Sequence, residues 1–173
     1  MKNIYLLSVF YCLGLMASAC GTSNPMFDES REALQRFKET SNNSYTYVTS
    51  YSSWIGYYSE TTVVVQKGQV QEQTFLSEDW SSCDTGPCEA VVLESWTESK
   101  DDLGSHNDGE IPALLEALYD HCETAVLTKD PDEYNIDLKF DDNGILKTCV
   151  YSEKHCQDDC GSGPHLRSVN WAI

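Results

Sequence analysis

The chain has 173 residues, with 28 Asp and Glu against 11 Lys and Arg, for a formal charge of −17. That length accommodates one modest core, and the acidity excludes a surface that coats DNA or RNA, which needs clustered cations against phosphate. Aromatic residues make up 11% of the chain and supply burial that disordered chains lack.

The N-terminus reads first as an address. Lys2 precedes an uncharged apolar stretch from Ile4 to Ala19, short of the roughly 20 residues of a spanning helix. A positive start, an apolar middle and small residues at the end predict a signal peptide over 1–19. Met16-Ala17-Ser18-Ala19-Cys20 resembles the lipobox of bacterial lipoproteins, although Ala17 stands where Leu is commoner. The resemblance implies a lipidated Cys20, a tether over 20–25, and attachment to the membrane through the N-terminal lipid, since more than one acyl chain anchors stably. Gly21, rather than Asp, implies the outer membrane by similarity to enteric lipoproteins. Without Lys2 the remainder holds 28 acidic against 10 basic residues, a charge of −18. The alternative is an ordinary signal peptide cleaved after Ala19, a secreted product, and Cys20 in a disulfide.

From Pro25 to Thr40 the pattern predicts a helix, with Asn24 as cap, Pro25 in the first position, and Asp28 and Glu29 at the positive end. Phe27, Leu34 and Phe37 form its apolar stripe. Ser44 to Trp54 alternates as a strand. Tyr45, Tyr47, Thr49 and Tyr51 share one face, and Thr46, Val48 and Trp54 the other. Thr61–Val65 and Gln69–Phe75 flank Lys67-Gly68 as a hairpin, with Val63 and Val65 on its buried face. Ala90–Thr97 is a further strand, and 100–109 a polar loop. Glu110–Ala125 predicts the second helix, with Pro112 in its first turn. Its expected stripe is Ile111, Leu114, Leu115, Leu118, Cys122 and Ala125. Ile136, Leu138 and Phe140 alternate, Asp141–Gly144 turns the chain, and Ile145–Tyr151 returns. The tail ends in the β-compatible Val169-Asn170-Trp171.

Cys12 leaves with the signal peptide and Cys20 takes the lipid, so Cys83, Cys88, Cys122, Cys149, Cys156 and Cys160 remain. An even number in an exported chain predicts three disulfides. Proximity pairs Cys83 with Cys88 and Cys156 with Cys160, and subtraction pairs Cys122 with Cys149. The competing reading is a metal site among Cys149, His155, Cys156, Cys160 and His165, but the Cys-x3-Cys spacing lacks a second knuckle.

Short turns imply antiparallel pairing. The expected fold is α+β: a two-layer sandwich in which two helices cover one face of an antiparallel sheet of about five strands, as one domain over 26–173. Tyr45-Thr46-Tyr47 after a helix, the Val63–Val70 hairpin, the Pro112–Tyr119 helix start and Asn135–Val150 resemble the family called domain of unknown function 6174. Its members are small exported bacterial proteins and lipoproteins. The chain departs from that pattern in its cysteine placement and its acidic insertions, and the resemblance carries no catalytic residues.

No catalytic constellation is legible. Gly161-Ser162-Gly163 is not a nucleophile elbow, and the mature cysteines all have expected partners. The acidic loops at Asp101-Asp102, Asp130–Glu133 and Asp141–Asn143 lack the spacing of a calcium loop. No cofactor or metal is expected. The function expected is therefore a non-enzymatic envelope module for an unknown protein or ligand partner, with Tyr45, Tyr47, Tyr51 and Trp54 as binding residues if their face is open. The alternative is an envelope hydrolase or metal-binding protein with an unrecognised site.

Overall fold

The computed structural model describes residues 24–82 and 89–171. The expected signal peptide, the lipidated Cys20 with most of its tether, and the Cys83–Cys88 pair lie outside these residues.

Helix α1 spans Pro25–Thr40, as the sequence predicts, with Pro25 in the first turn and the Asn24 side chain accepting from the Phe27 N–H at 3.4 Å. Phe27, Ala33 and Leu34 are buried along it. Five strands follow one another across an antiparallel sheet in the order β4-β3-β2-β1-β7. They are β1 (Tyr45–Ser52), β2 (Tyr57–Gln66), β3 (Gln69–Asp79), β4 (Val91–Ser99) and β7 (Leu166–Trp171). At the β2–β3 turn both Lys67 and Gly68 have positive φ, 50° and 76°, the geometry of a tight hairpin turn whose twist matches the strands. The positive φ favours glycine at position 68, and a Cβ there would also push on the Asn43 side-chain amide, 2.5 Å away.

Alternation decides the two faces of this sheet. Tyr45, Tyr47 and Thr49 of β1, Val63 and Val65 of β2, Phe75 of β3 and Glu98 of β4 are buried on one face. Helix α1, a second helix α2 (Leu115–His121) and the segment before it cover that face, and the opposite face is open. Burial of this kind is worth about 25 cal/mol per Å² of apolar surface, which is why the strands are rich in aromatic and β-branched residues on that side.

The second helix corrects the sequence reading. Helix α2 covers only Leu115–His121 and runs into a wider turn over Cys122–Val126, where the Leu127 N–H reaches back five residues to the Cys122 carbonyl at 2.9 Å. Residues 110–114 lie outside the helix instead, and Leu114 at its start is extended. Pro112 keeps the preceding residue out of the helical region. Side chains of the sheet also take the carbonyls a helix would need: Gln73 donates to Glu110 at 2.5 Å and Tyr47 to Ala113 at 2.7 Å. The buried stripe is consequently Leu115, Tyr119, Cys122 and Val126, while Ile111 is 83% exposed.

The hairpin β5 (Tyr134–Phe140) and β6 (Leu146–Glu153) forms a separate two-stranded sheet. It has no place in the larger one, because β7 occupies the free edge of β1. The tail therefore contributes a full strand where only its last residues looked compatible. The second sheet is fastened under α2 by the Cys122–Cys149 disulfide, with Cα atoms 5.7 Å apart, and Cys156 pairs with Cys160. One hydrophobic cluster runs through α1, α2, β1, β2, β6 and β7.

Candidate functional site

The open face carries a groove at the end of the sheet where the β1–β2 turn, the end of β3 and the start of β7 meet. Its volume is about 640 Å³. Pairing explains its lining. Ser52, Tyr58 and Glu78 are direct cross-strand neighbours on β1, β2 and β3, and Ser50, Glu60 and Leu76 form the next row. Small serines on β1 leave the trough, and the larger side chains on either side make its walls. Trp80 closes one end, tied down by its N–H to the Gly56 carbonyl at 2.7 Å. Gly56 has φ 94°, and a Cβ there would meet the Ser81 backbone N at 2.5 Å, so the turn seats only with glycine.

Arg167 forms the other wall, aimed by a defect in the pairing. Val48 pairs with Ser168 and Thr49 with Leu166, so Arg167 is an extra residue bulged out of β7. Bulges re-aim a side chain in this way. The guanidinium reaches across β1, over Ser50, to bond the Tyr58 hydroxyl at 2.9 Å and Glu60 Oε2 at 2.5 Å. Tyr58 donates to the same Glu60 oxygen at 2.7 Å. Burial and then Glu60 push the Tyr58 phenol up, and Tyr58 and Glu60 hold Arg167 above its usual value, so the tyrosine keeps its proton and the arginine its charge. Glu78 accepts from the Trp80 indole N–H at 3.1 Å.

The aromatic residues singled out in the sequence divide. Tyr45 and Tyr47 are 0% and 1% exposed; they belong to the core, where the Leu115 N–H donates to the Tyr45 hydroxyl at 3.2 Å. They offer nothing to a ligand, because α1 and the chain before α2 cover them. Tyr51 and Trp54 are 46% and 74% exposed. Tyr51 packs beside Tyr57 with ring centroids 6.2 Å apart, and Trp54 stands at the tip of the β1–β2 turn. Sequence reasoning missed Arg167, Glu78 and Trp80. The only signal for Arg167 was a lone cation in an acidic chain.

Ser50 and His165 offer a test of hydrolytic chemistry. The Ser50 hydroxyl lies 3.4 Å from His165 Nδ1, and the same nitrogen lies 3.2 Å from the Ser50 carbonyl. A carbonyl oxygen only accepts, so the tautomer that satisfies both contacts carries its hydrogen on Nδ1, and in that tautomer Nδ1 has no lone pair with which to take the serine proton. Asp159 bonds Ser53 instead of the imidazole. The pair is therefore not a relay. In the acidic loops the carboxylates serve their own turns: Asp141 accepts from the Asn143 and Ile145 N–H groups, and Asp130 from Asp132. Among the described residues no three His, Cys, Asp or Glu side chains are grouped to hold a metal.

The most perturbed carboxyl is Glu98, 0% exposed. Burial pushes it up, but the His106 backbone and imidazole, the Gly104 N–H and the Ser105 hydroxyl together bring it down to about 2. A strongly shifted group is a candidate for catalysis, yet both oxygens are consumed by the 104–106 loop, and His106 stacks on Trp96 at 4.4 Å. Glu98 is an anchor for that loop. Its carboxyl lies below the unfolded value near 4.5, so its contribution is complete above that pH and is lost as the pH falls through about 2. In a two-dimensional amide spectrum the Gly104 and His106 signals should shift with a midpoint near pH 2. A midpoint at an ordinary carboxylate value would show that these bonds do not form.

Family models, curated proteins and solved structures contain no match to this chain. Among the described residues no helix is long and apolar enough to cross a membrane.

Proposed function

We propose that the chain is a non-enzymatic binding module of the cell envelope. In this reading it is exported by the segment 1–19, held at the outer membrane by lipid on Cys20, and displayed on a short tether as a stapled anionic head. The residues that support that address are Lys2, the apolar stretch from Ile4 and Met16-Ala17-Ser18-Ala19-Cys20. Ligand enters the groove of the open face. The observation that carries the reading is the bulge in β7, which sets Arg167 over a trough of serines, opposite Glu78 and Trp80. Arg167 lies on the face away from the core, and its bonds to Tyr58 and Glu60 engage only one of its nitrogens.

A photo-reactive benzophenone amino acid in place of Ser52, in the full chain in living cells, tests the reading. Benzophenone inserts into C–H bonds of any organic ligand. Adducts should form at position 52 and disappear when Trp80→Ala is added, and the same probe in place of Glu32 on α1 should give none. Equal labelling at both positions, or none at 52, sinks the reading. In the same cells palmitate should label the chain and fail to label Cys20→Ala; a label that persists defeats the anchor.

A further inference from the structure

We infer that the groove binds a neutral, polyhydroxylated chain, a segment of glycan. This rests on the binding reading above and names its ligand class.

Charge narrows the choice from both sides. An anionic ligand meets the −17 field of the whole chain together with Glu78 in the wall. A cationic ligand is drawn by that field, but inside the groove it meets Arg167, whose guanidinium stays ionised at every relevant pH. An uncharged ligand meets neither penalty. It also finds both kinds of hydrogen-bonding group. Arg167 spends only one nitrogen on Tyr58 and Glu60, so Nε and the second terminal nitrogen have no partner among the described residues. Glu78 spends one oxygen on Trp80, and the other accepts from no described residue. Donors on the β7 side and an acceptor on the β3 side, with the Ser52 hydroxyl between them, suit a ligand whose own groups both donate and accept. Hydroxyls of a sugar do so.

Shape supports the same class. A pyranose ring alternates hydroxyls with patches of C–H, and such patches lie well on aromatic faces, which combine an apolar body with a polar tip. Trp80 is 44% exposed at one end, and Tyr58 stands between Ser52 and Glu78 in the same row of the groove. The groove crosses β7, β1, β2 and β3, about 14 Å at the usual strand spacing, which fits a short chain better than one small molecule. A peptide strand would instead seek a free sheet edge, where main-chain groups are available; here all but Arg167 of the strand residues that line the site are on β1, β2 and β3, inner strands paired on both sides.

The test uses the full chain, held in a sugar-free detergent, on an array of neutral oligosaccharides with hexalysine and an acidic polysaccharide as parallel probes. At least one neutral oligosaccharide should bind. Its affinity should change little between low and high salt, because no charge is neutralised. Trp80→Ala should weaken it by about tenfold or more. Ser52→Trp, which fills the trough from an exposed position without touching the core, should abolish it even if Trp80→Ala proves unstable. Absence of any neutral oligosaccharide whose binding depends on these residues overturns the inference. Salt-sensitive binding of hexalysine or the acidic polysaccharide at the groove overturns it too, while leaving the groove as a binding site. If position 52 also gives no photo-adduct, the binding reading falls with it.

Discussion

Replacing Cys122 and Cys149 together by alanine should lower the unfolding free energy by about 3 to 4 kcal/mol. The two cysteines are 27 residues apart in sequence and both are completely buried. The bridge restrains a long loop in the unfolded chain, and it covalently links the wider turn that ends α2 to the β5–β6 sheet. Without it that sheet depends on β6 packing, on the bond from the Leu146 N–H to the Tyr119 hydroxyl, and on two isolated bridges, Thr148 with His165 and Tyr151 with Ser162. For a domain of this size the loss corresponds to a fall of roughly 10 °C in melting temperature. Denaturant unfolding of the full chain, unreduced, measures it directly. The exposed Cys156–Cys160 bridge closes a loop of 4 residues in separation, and the same relation assigns it about 2 kcal/mol at most. If removing the short bridge hurts as much as removing the long one, the constraint on α2 and β6 is not what stabilises the fold.

That pairing was readable because cysteine arithmetic is a counting argument, and counting survives ignorance of the fold. Alternation along β1 was readable for a similar reason: period two assigns Tyr45, Tyr47, Thr49 and Tyr51 to one face whatever lies above it. What alternation cannot say is how far the cover extends. Tyr45 and Tyr47 lie under the helices, whereas Tyr51 has the same parity and emerges beyond them at 46% exposure. The limits of α2 were hidden for a different reason. Ile111 and Leu114 continue a helical stripe, but Gln73 and Tyr47, far off in sequence, claim the carbonyls of Glu110 and Ala113. Tertiary hydrogen bonds overrode a local preference worth only tenths of a kcal/mol per residue. Arg167 lay furthest from view. Its direction depends on a one-residue slip between β1 and β7, strands more than a hundred residues apart, and no local pattern encodes such a slip.

Tyr119→Phe should destabilise the protein by about 2 to 3 kcal/mol although it removes a single oxygen. The hydroxyl sits where three elements meet. It accepts from the Leu146 N–H at the start of β6 at 2.7 Å and shares a hydrogen with the Ser30 hydroxyl of α1, also at 2.7 Å. Burial pushes the phenol up, so it remains a neutral donor and acceptor throughout the working range. Phenylalanine preserves the ring and its packing against Phe27, 5.6 Å between centroids, and leaves the hydrogen bonds as the only loss. The Leu146 N–H and the Ser30 hydroxyl then stay buried without their partner, and an unsatisfied buried group forfeits its full hydration. Tyr51→Phe, at an exposed hydroxyl, should change stability by no more than about 0.5 kcal/mol. Paired denaturant curves, with amide exchange at Leu146 as the local probe, distinguish the two. Faster exchange at Leu146 with a large loss of stability is the expected result; equal stability of the two variants would mean that the Leu146 N–H and Ser30 find other partners, and that α1, α2 and β6 are not joined through Tyr119.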